Sequence, residues 1–353
     1  MDSEFLRDIE LPNTLALPAR AQRALVAVST AQLQARLPSM TEERVFVLGS
    51  GSNVVLPDAL PGLTVLMRIK GIAEKKARNG ARIFEVGAGE SWQGFVRFCL
   101  GQGLGGGIEN LTLIPGTVGA APIQNIGAYG VEVAQFIDAV QVLDAQSPSH
   151  ALYWLGREDC EFGYRDSLFK QQPGRWIVTQ VRFKLPSHRD GRVALGYAGV
   201  TDMLERQGIT RLTPVAIAEA IARLRRSKLP DFRKHPNAGS FFKNPVLTDA
   251  QMAELRQTLP AASKANFETL PSWPHAKGCK IAAAALIDRA GFKRQQAGGV
   301  GVWYRQPLVL VNTGGANAST LSAFAAQIQQ RVQAQFGIAL EQEPVQMAPV
   351  RST

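Results

Sequence analysis

The sequence predicts a folded protein of the α+β class with two or three domains. At 353 residues the chain is longer than one hydrophobic core usually fills. Its apolar content of 45% is typical of a folded protein, and no apolar run reaches the ~20 residues that a membrane helix needs. Segments with the pattern of β-strands alternate along the chain with segments that have the pattern of α-helices. We therefore expect a soluble, multi-domain protein with no membrane partner.

The charge balance favours a ligand that carries phosphate. There are 39 basic and 29 acidic residues, a net charge of +10, which suits nucleic acid or a small phosphorylated ligand. The one dense basic run, residues 223–228, is short, and no aromatic residues alternate with it as they would on a single-strand binding surface. Nucleotide ligands are therefore favoured over nucleic acid.

The cysteines predict a reducing compartment. Cys99, Cys160 and Cys279 are widely spaced, form no CxxC pair and lie beside no histidine cluster. This pattern indicates reduced, mostly structural thiols and no metal site. The first ten residues, MDSEFLRDIE, lack the basic and then apolar order of a secretory signal. We expect a cytoplasmic protein.

A long neutral loop at residues 104–130, LGGGIENLTLIPGTVGAAPIQNIGAYG, is the most unusual segment. Glycine adopts positive φ at little cost, so such a loop can direct several backbone N–H groups towards one phosphate. A flexible surface loop is the alternative. It is disfavoured because structureless loops of this length are uncommon in compact domains and this one lacks the charge of a disordered segment.

A second glycine-rich segment, Gly49-Ser50-Gly51-Ser52-Asn53, lies between the predicted strands at 45–48 and 54–56. Its amides and hydroxyls can surround a diphosphate. A plain hairpin turn is the simpler interpretation of this segment alone. The second loop with the same chemistry favours the diphosphate site.

A GxGxxG pattern at residues 101–106 is not a dinucleotide site. The Rossmann pattern follows a strand and opens a helix. Here the pattern follows a helix that Ser91 can cap, and it precedes the long loop. Further helix starts are predicted at Thr30, Thr213-Pro214 and Thr248.

Three polar residues lie in apolar surroundings. Arg165, in FGYRDSLFK, could hold a carboxylate with two parallel hydrogen bonds, or could form a surface pair with Asp166. Ser240, between a glycine and two phenylalanines, is either a core hydroxyl or a proton donor. Glu343 is by default a solvated carboxylate on an edge strand.

Several of these segments together resemble one known family. The runs VLGSGSNVVLPD, ENLTLIPGTVGAAPIQNIGAYGVEV, FGYRDSLFK and NAGSFFKNP, with a terminal glutamate, occur in order along nearly the whole chain. They resemble the UDP-N-acetylenolpyruvoylglucosamine reductases of bacterial peptidoglycan synthesis. The presence of Gly196-Tyr197 resembles the subtype whose extra tyrosine loop closes over substrate.

The resemblance implies an architecture. It implies a FAD-binding region in two subdomains, of the vanillyl-alcohol-oxidase type, and a separate α+β substrate-binding domain. On this basis we expect one FAD subdomain at residues 1–66, a second at 67–226 and the substrate domain at 227–353. No obligate protein partner is expected.

The resemblance also implies a reaction, in which NADPH reduces FAD and the enolpyruvyl group of the UDP-sugar is then reduced. None of the four histidines falls in either loop, so non-covalent FAD is expected. The implied FAD contacts are Gly49, Ser50, Gly51, Ser52, Asn53, Thr117, Gly119, Ile123, Gln124 and Gly127. The implied substrate contacts are Tyr129, Tyr197, Lys228, Asn244 and Gln306.

By the matched motifs, Arg165, Ser240 and Glu343 are the expected catalytic residues, and their chemistry suits the reaction. Hydride addition to a carboxylate-bearing alkene places negative charge on the carboxylate, which a fixed cation and an acid stabilise. The neighbouring carbon then needs a proton, which the Ser240 hydroxyl can donate. No basic residue follows Glu343 before Arg351, so Glu341 is the second candidate.

Two other functions remain alternatives. A flavin oxidase of the same fold would keep the two FAD loops but would not need NAGSFFKNP or the terminal glutamate. A basic nucleic-acid-binding protein would be colourless and would bind DNA in a salt-dependent manner.

Overall fold

The structure, a computed structural model, describes residues 5–37, 44–78, 81–147, 149–186 and 198–347. The predicted tyrosine loop at Gly196 and Tyr197 lies outside the described residues.

Helices and strands alternate along the described chain. Up to residue 101 they are β1 (Phe5–Glu10), β2 (Arg20–Ala27), α1 (Thr30–Arg36), β3 (Val45–Leu48), β4 (Val54–Val55), β5 (Ala59–Met67), β6 (Ile72–Arg78), β7 (Ala81–Gly87) and α2 (Trp92–Gly101). Those that follow, up to residue 228, are β8 (Gly127–Ala128), β9 (Val131–Glu132), β10 (Ile137–Asp144), β11 (Leu152–Gly156), α3 (Leu168–Gln171), β12 (Trp176–Leu185), α4 (Ala198–Arg206) and α5 (Pro214–Lys228).

The remaining elements lie between residues 237 and 346. They are β13 (Asn237–Ser240), β14 (Val246–Leu247), α6 (Asp249–Thr258), α7 (Ala261–Glu268), β15 (Ser272–His275), β16 (Gly278–Ile281), α8 (Ala283–Arg289), β17 (Gln296–Ala297), β18 (Val300–Val302), β19 (Val309–Asn312), α9 (Ala318–Phe336) and β20 (Val345–Gln346). Within the described ranges, no helix combines the length and the apolarity needed to cross a membrane.

The chain forms two compact units, each built from three segments. Unit 1 contains Met1–Ile9, Ala21–Gly51 and Pro61–Ser227, and unit 2 contains Glu10–Arg20, Ser52–Leu60 and Lys228–Thr353. The division of the first part into subdomains at residue 66 stays a prediction.

Unit 1 is organised around a five-stranded antiparallel sheet of order β11-β10-β12-β7-β6. Helix α2 begins at the predicted cap, because the Ser91 side chain accepts a hydrogen bond from the Gly94 amide. Its apolar face buries Trp92 and Phe95, and the Phe95 ring lies 4.6 Å from that of Phe183 on β12. A second sheet of order β1-β2-β5-β3 contains the parallel pair β3 and β5.

Unit 2 is organised around helix α9. Asn317 and Thr320 form a capping box at its N-terminus, and the helix ends at Gly337, as predicted. Its buried residues Phe324, Ile328 and Phe336 belong to the core of this unit. The sheets around it have the orders β13-β19-β18-β17 and β14-β16-β15, with the pair β20-β4 separate. This combination of sheets and helices confirms the α+β class.

One local expectation is wrong, and one alternative interpretation is excluded. Helix α1 is capped by Ser29 rather than by Thr30, because the Ser29 side chain accepts from the Gln32 amide. The hairpin alternative for residues 49–53 fails because β3 pairs in parallel with β5, whereas β4 pairs in parallel with β20. The glycine-rich segment therefore connects strands of two different sheets.

All three cysteines are free thiols. Cys99 and Cys160 are buried, and burial raises the pKa of both thiols above the ordinary value, that of Cys160 to about 12. Cys279, which lies on β16 in unit 2, is only partly buried.

These burials predict one reactive thiol in the native protein. Only the thiolate attacks a disulfide reagent, so at about pH 8 Cys99 and Cys160 stay protonated and inaccessible. We expect titration with an aromatic disulfide to show one fast thiol in the native state and three after denaturation. Cys279→Ser should remove the fast phase; a second fast thiol in the native protein would contradict the burial of Cys99 and Cys160.

Candidate active site

The two glycine-rich loops meet within unit 1 at Gly49 and Thr117. A Cβ atom on Gly49 would lie only 2.6 Å from the Thr117 hydroxyl oxygen, so any larger residue at 49 would have to displace the Thr117 side chain. The Gly49 carbonyl accepts a hydrogen bond of 2.9 Å from the Arg68 guanidinium. The two segments that were predicted to share one ligand are therefore neighbours.

The centre of the long loop is fixed by backbone hydrogen bonds to the connection between β7 and α2. Val118 N donates to Glu90 O and Gly119 N donates to Ala88 O, both at 2.8 Å. A Cβ on Gly119 would lie 2.4 Å from the Ala88 Cβ, which only glycine avoids. The flexible-loop alternative is wrong, because Thr117, Val118 and Gly119 are buried. The Gly119 N–H already donates to Ala88 O, so Gly119 contributes to the loop through close packing against Ala88.

Asn125 holds the second half of the loop, and the sequence reasoning did not single it out. It is 1% exposed, and its amide nitrogen donates to Glu132 Oε2 at 2.8 Å and to Gly163 O at 3.0 Å. Its oxygen accepts from Ala134 N at 3.0 Å. The signal available in the sequence was an asparagine in a glycine-rich loop, since asparagine tolerates the left-handed backbone that it adopts here with φ 45°.

The neighbouring predicted FAD contacts are Ile123 and Gln124. The Ile123 carbonyl accepts a hydrogen bond of 2.5 Å from the buried Ser167 hydroxyl. Both residues are half-buried. The segment that holds Arg165 is thus bonded to the loop through Ser167.

Arg165 is oriented by the same loop. Its guanidinium donates to Gly127 O at 2.6 Å and to Asn125 O at 3.4 Å, and it lies 5.3 Å from the Tyr164 ring. Its backbone has φ 54°, a conformation that costs a non-glycine residue roughly 1–2 kcal/mol. The carboxylate of Asp166 instead accepts from Ser167 N and from the Gln171 side chain. This geometry favours the fixed-cation interpretation over a surface pair with Asp166.

Tyr129 lies at the end of the loop and joins it to Arg225. Its carbonyl accepts from the Asn110 side chain at 3.0 Å, and its ring packs against the apolar cluster of α4 and α5. Burial lowers the pKa of Arg225, and its hydrogen bond with the Tyr129 side chain opposes that shift. Arg225 therefore has a partner inside unit 1, which weakens the interpretation of residues 223–228 as a nucleic-acid surface.

Ser52 and Asn53 belong to unit 2. The Ser52 carbonyl accepts from the Thr14 hydroxyl at 3.4 Å, and that hydroxyl also donates to Asn237 O at 2.7 Å. Asn53 O accepts from Val345 N at 3.0 Å. The segment is therefore bonded to the strand region that carries Ser240 and to the one that carries Glu343.

Ser240 and Glu343 are brought together in unit 2. Glu343 N donates to Phe241 O at 2.9 Å, and Phe242 forms an antiparallel bridge with Gln342. The aromatic pair that follows Ser240 is buried, with Phe241 1% and Phe242 0% exposed, whereas Ser240 itself is half-buried. A rigid apolar base thus supports a hydroxyl that is not enclosed in the core.

The same backbone pairing distinguishes Glu341 from Glu343, the two candidates for the acid. Lys243 N donates to Glu341 O, and the Lys243 ammonium forms an ion pair with the Glu341 carboxylate. The Glu341 side chain is 67% exposed, whereas residue Glu343 is half-buried. This placement favours Glu343 as the acid.

The expected substrate contacts of unit 2 are Lys228, Asn244 and Gln306. Asn244 Oδ1 accepts from Ala283 N at 3.0 Å and thereby caps the start of α8. Gln306 lies in the loop between β18 and β19, and Lys228 is the last residue of α5. Tyr129 and Arg165 belong to unit 1.

Among the described residues, no group of three or more His, Cys, Asp or Glu side chains could hold a metal ion.

Two protein-family models match the chain and define its class. Residues 21–148 match a FAD binding domain, and residues 231–347 match the C-terminal domain of UDP-N-acetylenolpyruvoylglucosamine reductase. The chain is therefore a FAD-binding oxidoreductase, and the expected order of a FAD-binding region before a C-terminal domain is confirmed.

Curated relatives identify the family. The chain is 46% identical over 341 residues to a UDP-N-acetylenolpyruvoylglucosamine reductase of Azoarcus sp. (strain BH72), with 94% of each chain covered. It is 42% identical over 336 residues to the Pseudomonas aeruginosa protein of the same name, with 94% of this chain and 95% of the relative covered. The chain belongs to the family of UDP-N-acetylenolpyruvoylglucosamine reductases.

A solved structure shows the same fold. The Thermus caldophilus UDP-N-acetylenolpyruvylglucosamine reductase superposes with a TM-score of 0.62 at 24% identity, covering 96% of this chain and 98% of the other. The agreement extends over nearly the whole length of both chains.

The residues in unit 1 fit a bound FAD. Gly49 leaves no side chain in front of the Thr117 hydroxyl, and Gly51 has φ 67°, which lets consecutive amides turn to the same side. Backbone hydrogen bonds to Ala88 and Glu90 hold the loop that carries Thr117, which limits the ordering entropy that binding would cost.

The close packing at Gly119 predicts a loss of FAD in a minimal variant. Gly119→Ala places a methyl group against Ala88 and must displace the loop, so we expect the FAD content of the purified protein to fall. Gly101→Ala is the matched control, because nothing lies within 4 Å of a Cβ at that position. It also alters the GxGxxG pattern. The ratio of flavin to protein absorbance measures the FAD content of each variant. Equal FAD content in the two variants would contradict the role of Gly119.

Proposed function

We propose that this protein uses NADPH to reduce the enolpyruvyl group of UDP-N-acetylenolpyruvoylglucosamine, giving UDP-N-acetylmuramate for peptidoglycan synthesis. FAD, held non-covalently by the loops around Gly49 and Thr117, supplies hydride transfer when it is bound. The observation that carries the proposal is the backbone pairing that holds Ser240 and Glu343 together on a buried Phe241-Phe242 base. The three free thiols support a cytoplasmic location.

Arg165 binds the substrate carboxylate in this proposal. Its guanidinium is held by the carbonyls of Gly127 and Asn125, which restrict the orientation of its plane. A planar, permanently charged fork suits a carboxylate, and the attraction grows as negative charge accumulates there. The strained backbone of Arg165 is consistent with a residue that is oriented for function.

Ser240 donates the proton that completes the reduction, and Glu343 acts as an acid at the carboxylate. Ser240 lies half-buried on β13, opposite Val309 on β19. A hydroxyl is a weak acid, but the enolate that it meets is strongly basic. The backbone bond from Glu343 N to Phe241 O holds the two residues close together, which limits the reorganisation needed during proton transfer.

The flavin oxidase alternative is less supported. Residues 231–347 match the C-terminal domain of the reductase, and that domain contains Ser240 and Glu343. The direct test is the purified protein with NADPH, with and without the UDP-sugar. We expect a yellow protein whose NADPH oxidation requires the enolpyruvyl substrate and whose flavin is released intact by acid. Oxygen uptake with an alcohol substrate would favour the oxidase.

Arg165→Lys tests the carboxylate contact. The substitution keeps the charge but loses the planar fork, so we expect turnover to fall on the order of 10²-fold while FAD content stays normal. Arg157→Lys, at an exposed arginine of the same unit, is the control. Steady-state turnover with saturating NADPH measures the effect. Wild-type turnover in Arg165→Lys would exclude the role of the guanidinium.

Ser240→Ala tests the proton donor by separating the two half-reactions. Reduction of the flavin by NADPH needs no hydroxyl acid, so its rate should stay near normal. Reoxidation by the UDP-sugar should slow by at least about 10²-fold, the lower range for loss of a positioned acid. Rapid mixing that follows the flavin absorbance measures each step. Ser272→Ala, on an exposed position of β15, is the control.

The outcomes for Ser240→Ala are distinct. Equal slowing of both steps would indicate a structural hydroxyl whose loss disturbs the site. No slowing of either step would mean that another group delivers the proton.

A further inference from the structure

A short loop of unit 2, residues 303–308 between β18 and β19, contains Trp303 and Gln306. Trp303 N donates to Val309 O at 2.9 Å, Gln306 N donates to Trp303 O at 3.3 Å, and Val309 N donates to Gln306 O at 2.9 Å. The backbone of Trp303 and that of Gln306 are therefore parts of one hydrogen-bonded turn. Any movement of the Trp303 backbone moves Gln306.

The side chain of Trp303 reaches a distant part of the same unit. Its indole N–H donates to the carbonyl of Lys228 at 3.0 Å, across 75 residues of sequence. Its ring centroid lies 4.9 Å from that of His235 and 4.8 Å from that of Tyr304. These ring contacts restrict the indole to the orientation in which its N–H meets Lys228 O.

The Lys228 carbonyl is available to such a donor because of its place in the chain. It is the last residue of α5, and the final carbonyls of a helix lack partners within the helix. Pro230 follows two residues later and cannot extend the helix. The bond from Trp303 satisfies the Lys228 carbonyl and fixes the backbone from which the lysine side chain extends.

We propose that Trp303 is a positioning residue that holds Lys228 and Gln306 in the arrangement that binds the UDP part of the substrate. This inference rests on the proposed function, in which Lys228 and Gln306 contact the UDP-sugar. A lysine ammonium on a flexible stem is a suitable partner for a diphosphate, and fixing its backbone reduces the entropy lost when it binds. Trp303 itself touches neither substrate nor cofactor in this scheme.

Trp303→Phe is the primary test, because it keeps an aromatic ring beside His235 and removes the N–H donor together with part of the ring surface. We expect KM for the UDP-sugar and the Kd for UDP alone to rise about fivefold, the factor for one ordinary hydrogen bond. The kcat and the rate of flavin reduction by NADPH should stay unchanged, because the lost interaction contributes equally to binding of the substrate and of the transition state. Trp273→Phe, at an exposed tryptophan of β15 in the same unit, should change none of these values.

A double-mutant cycle with Lys228→Met decides whether Trp303 acts through the lysine. The methionine removes the charge and keeps most of the stem, and we expect Trp303→Phe to weaken UDP binding much less in this background than in the wild type. Additive effects of the two substitutions would overturn the proposal, as would an unchanged Kd in Trp303→Phe alone.

Trp303→His provides a second comparison and retains a ring N–H. We expect it to recover part of the UDP affinity that Trp303→Phe loses, and binding as weak as in the phenylalanine variant would overturn the proposal. A wild-type protein that neither binds UDP nor oxidises NADPH in the presence of the UDP-sugar would instead overturn the proposed function. Normal wild-type binding and turnover with no effect of Trp303 would overturn this inference alone.

Discussion

The close approach of the Gly119 backbone to Ala88 is the contact on which the FAD-binding region depends. It lets the long neutral loop bond to the start of α2, which places Thr117 against Gly49. From there the loop continues through Asn125, whose side chain makes three hydrogen bonds to residues beyond the loop. The carbonyls of Asn125 and Gly127 accept hydrogen bonds from Arg165. The long loop and the Arg165 guanidinium are therefore parts of one hydrogen-bonded structure within unit 1.

The local signals in the sequence predicted much of the fold. Helices begin at Ser91, Thr213 and Thr248, because each of these side chains accepts a hydrogen bond from a backbone amide near the predicted start. Helix α9 ends at Gly337. The hairpin of β15 and β16 was not predicted, since Pro271 and Pro274 disfavour a strand assignment and only an edge position tolerates them. Helix α4 follows residues outside the described part and has no clear start signal.

The site was predicted as a set of residues but not as a set of contacts. The chemistry of Arg165, Ser240 and Glu343 can be read from residue type and from family resemblance. The pairing of Glu343 with Phe241, the bond from Trp303 to Lys228 and the buried Asn125 join positions far apart in sequence, and no periodicity encodes them. Residues that orient other residues are therefore the ones that sequence reasoning missed.

The discontinuous composition of unit 2 bears on how the newly made chain folds. Its core includes Leu15, Leu17 and Val55 from the beginning of the chain, and Val54 pairs with Val345, which is synthesised 291 residues later (345 − 54). Because domains fold as they leave the ribosome and distant contacts form last, unit 2 cannot complete its core until translation has almost finished. Until then, its early segments must wait in a partly folded chain, where a chaperone can shield their apolar side chains.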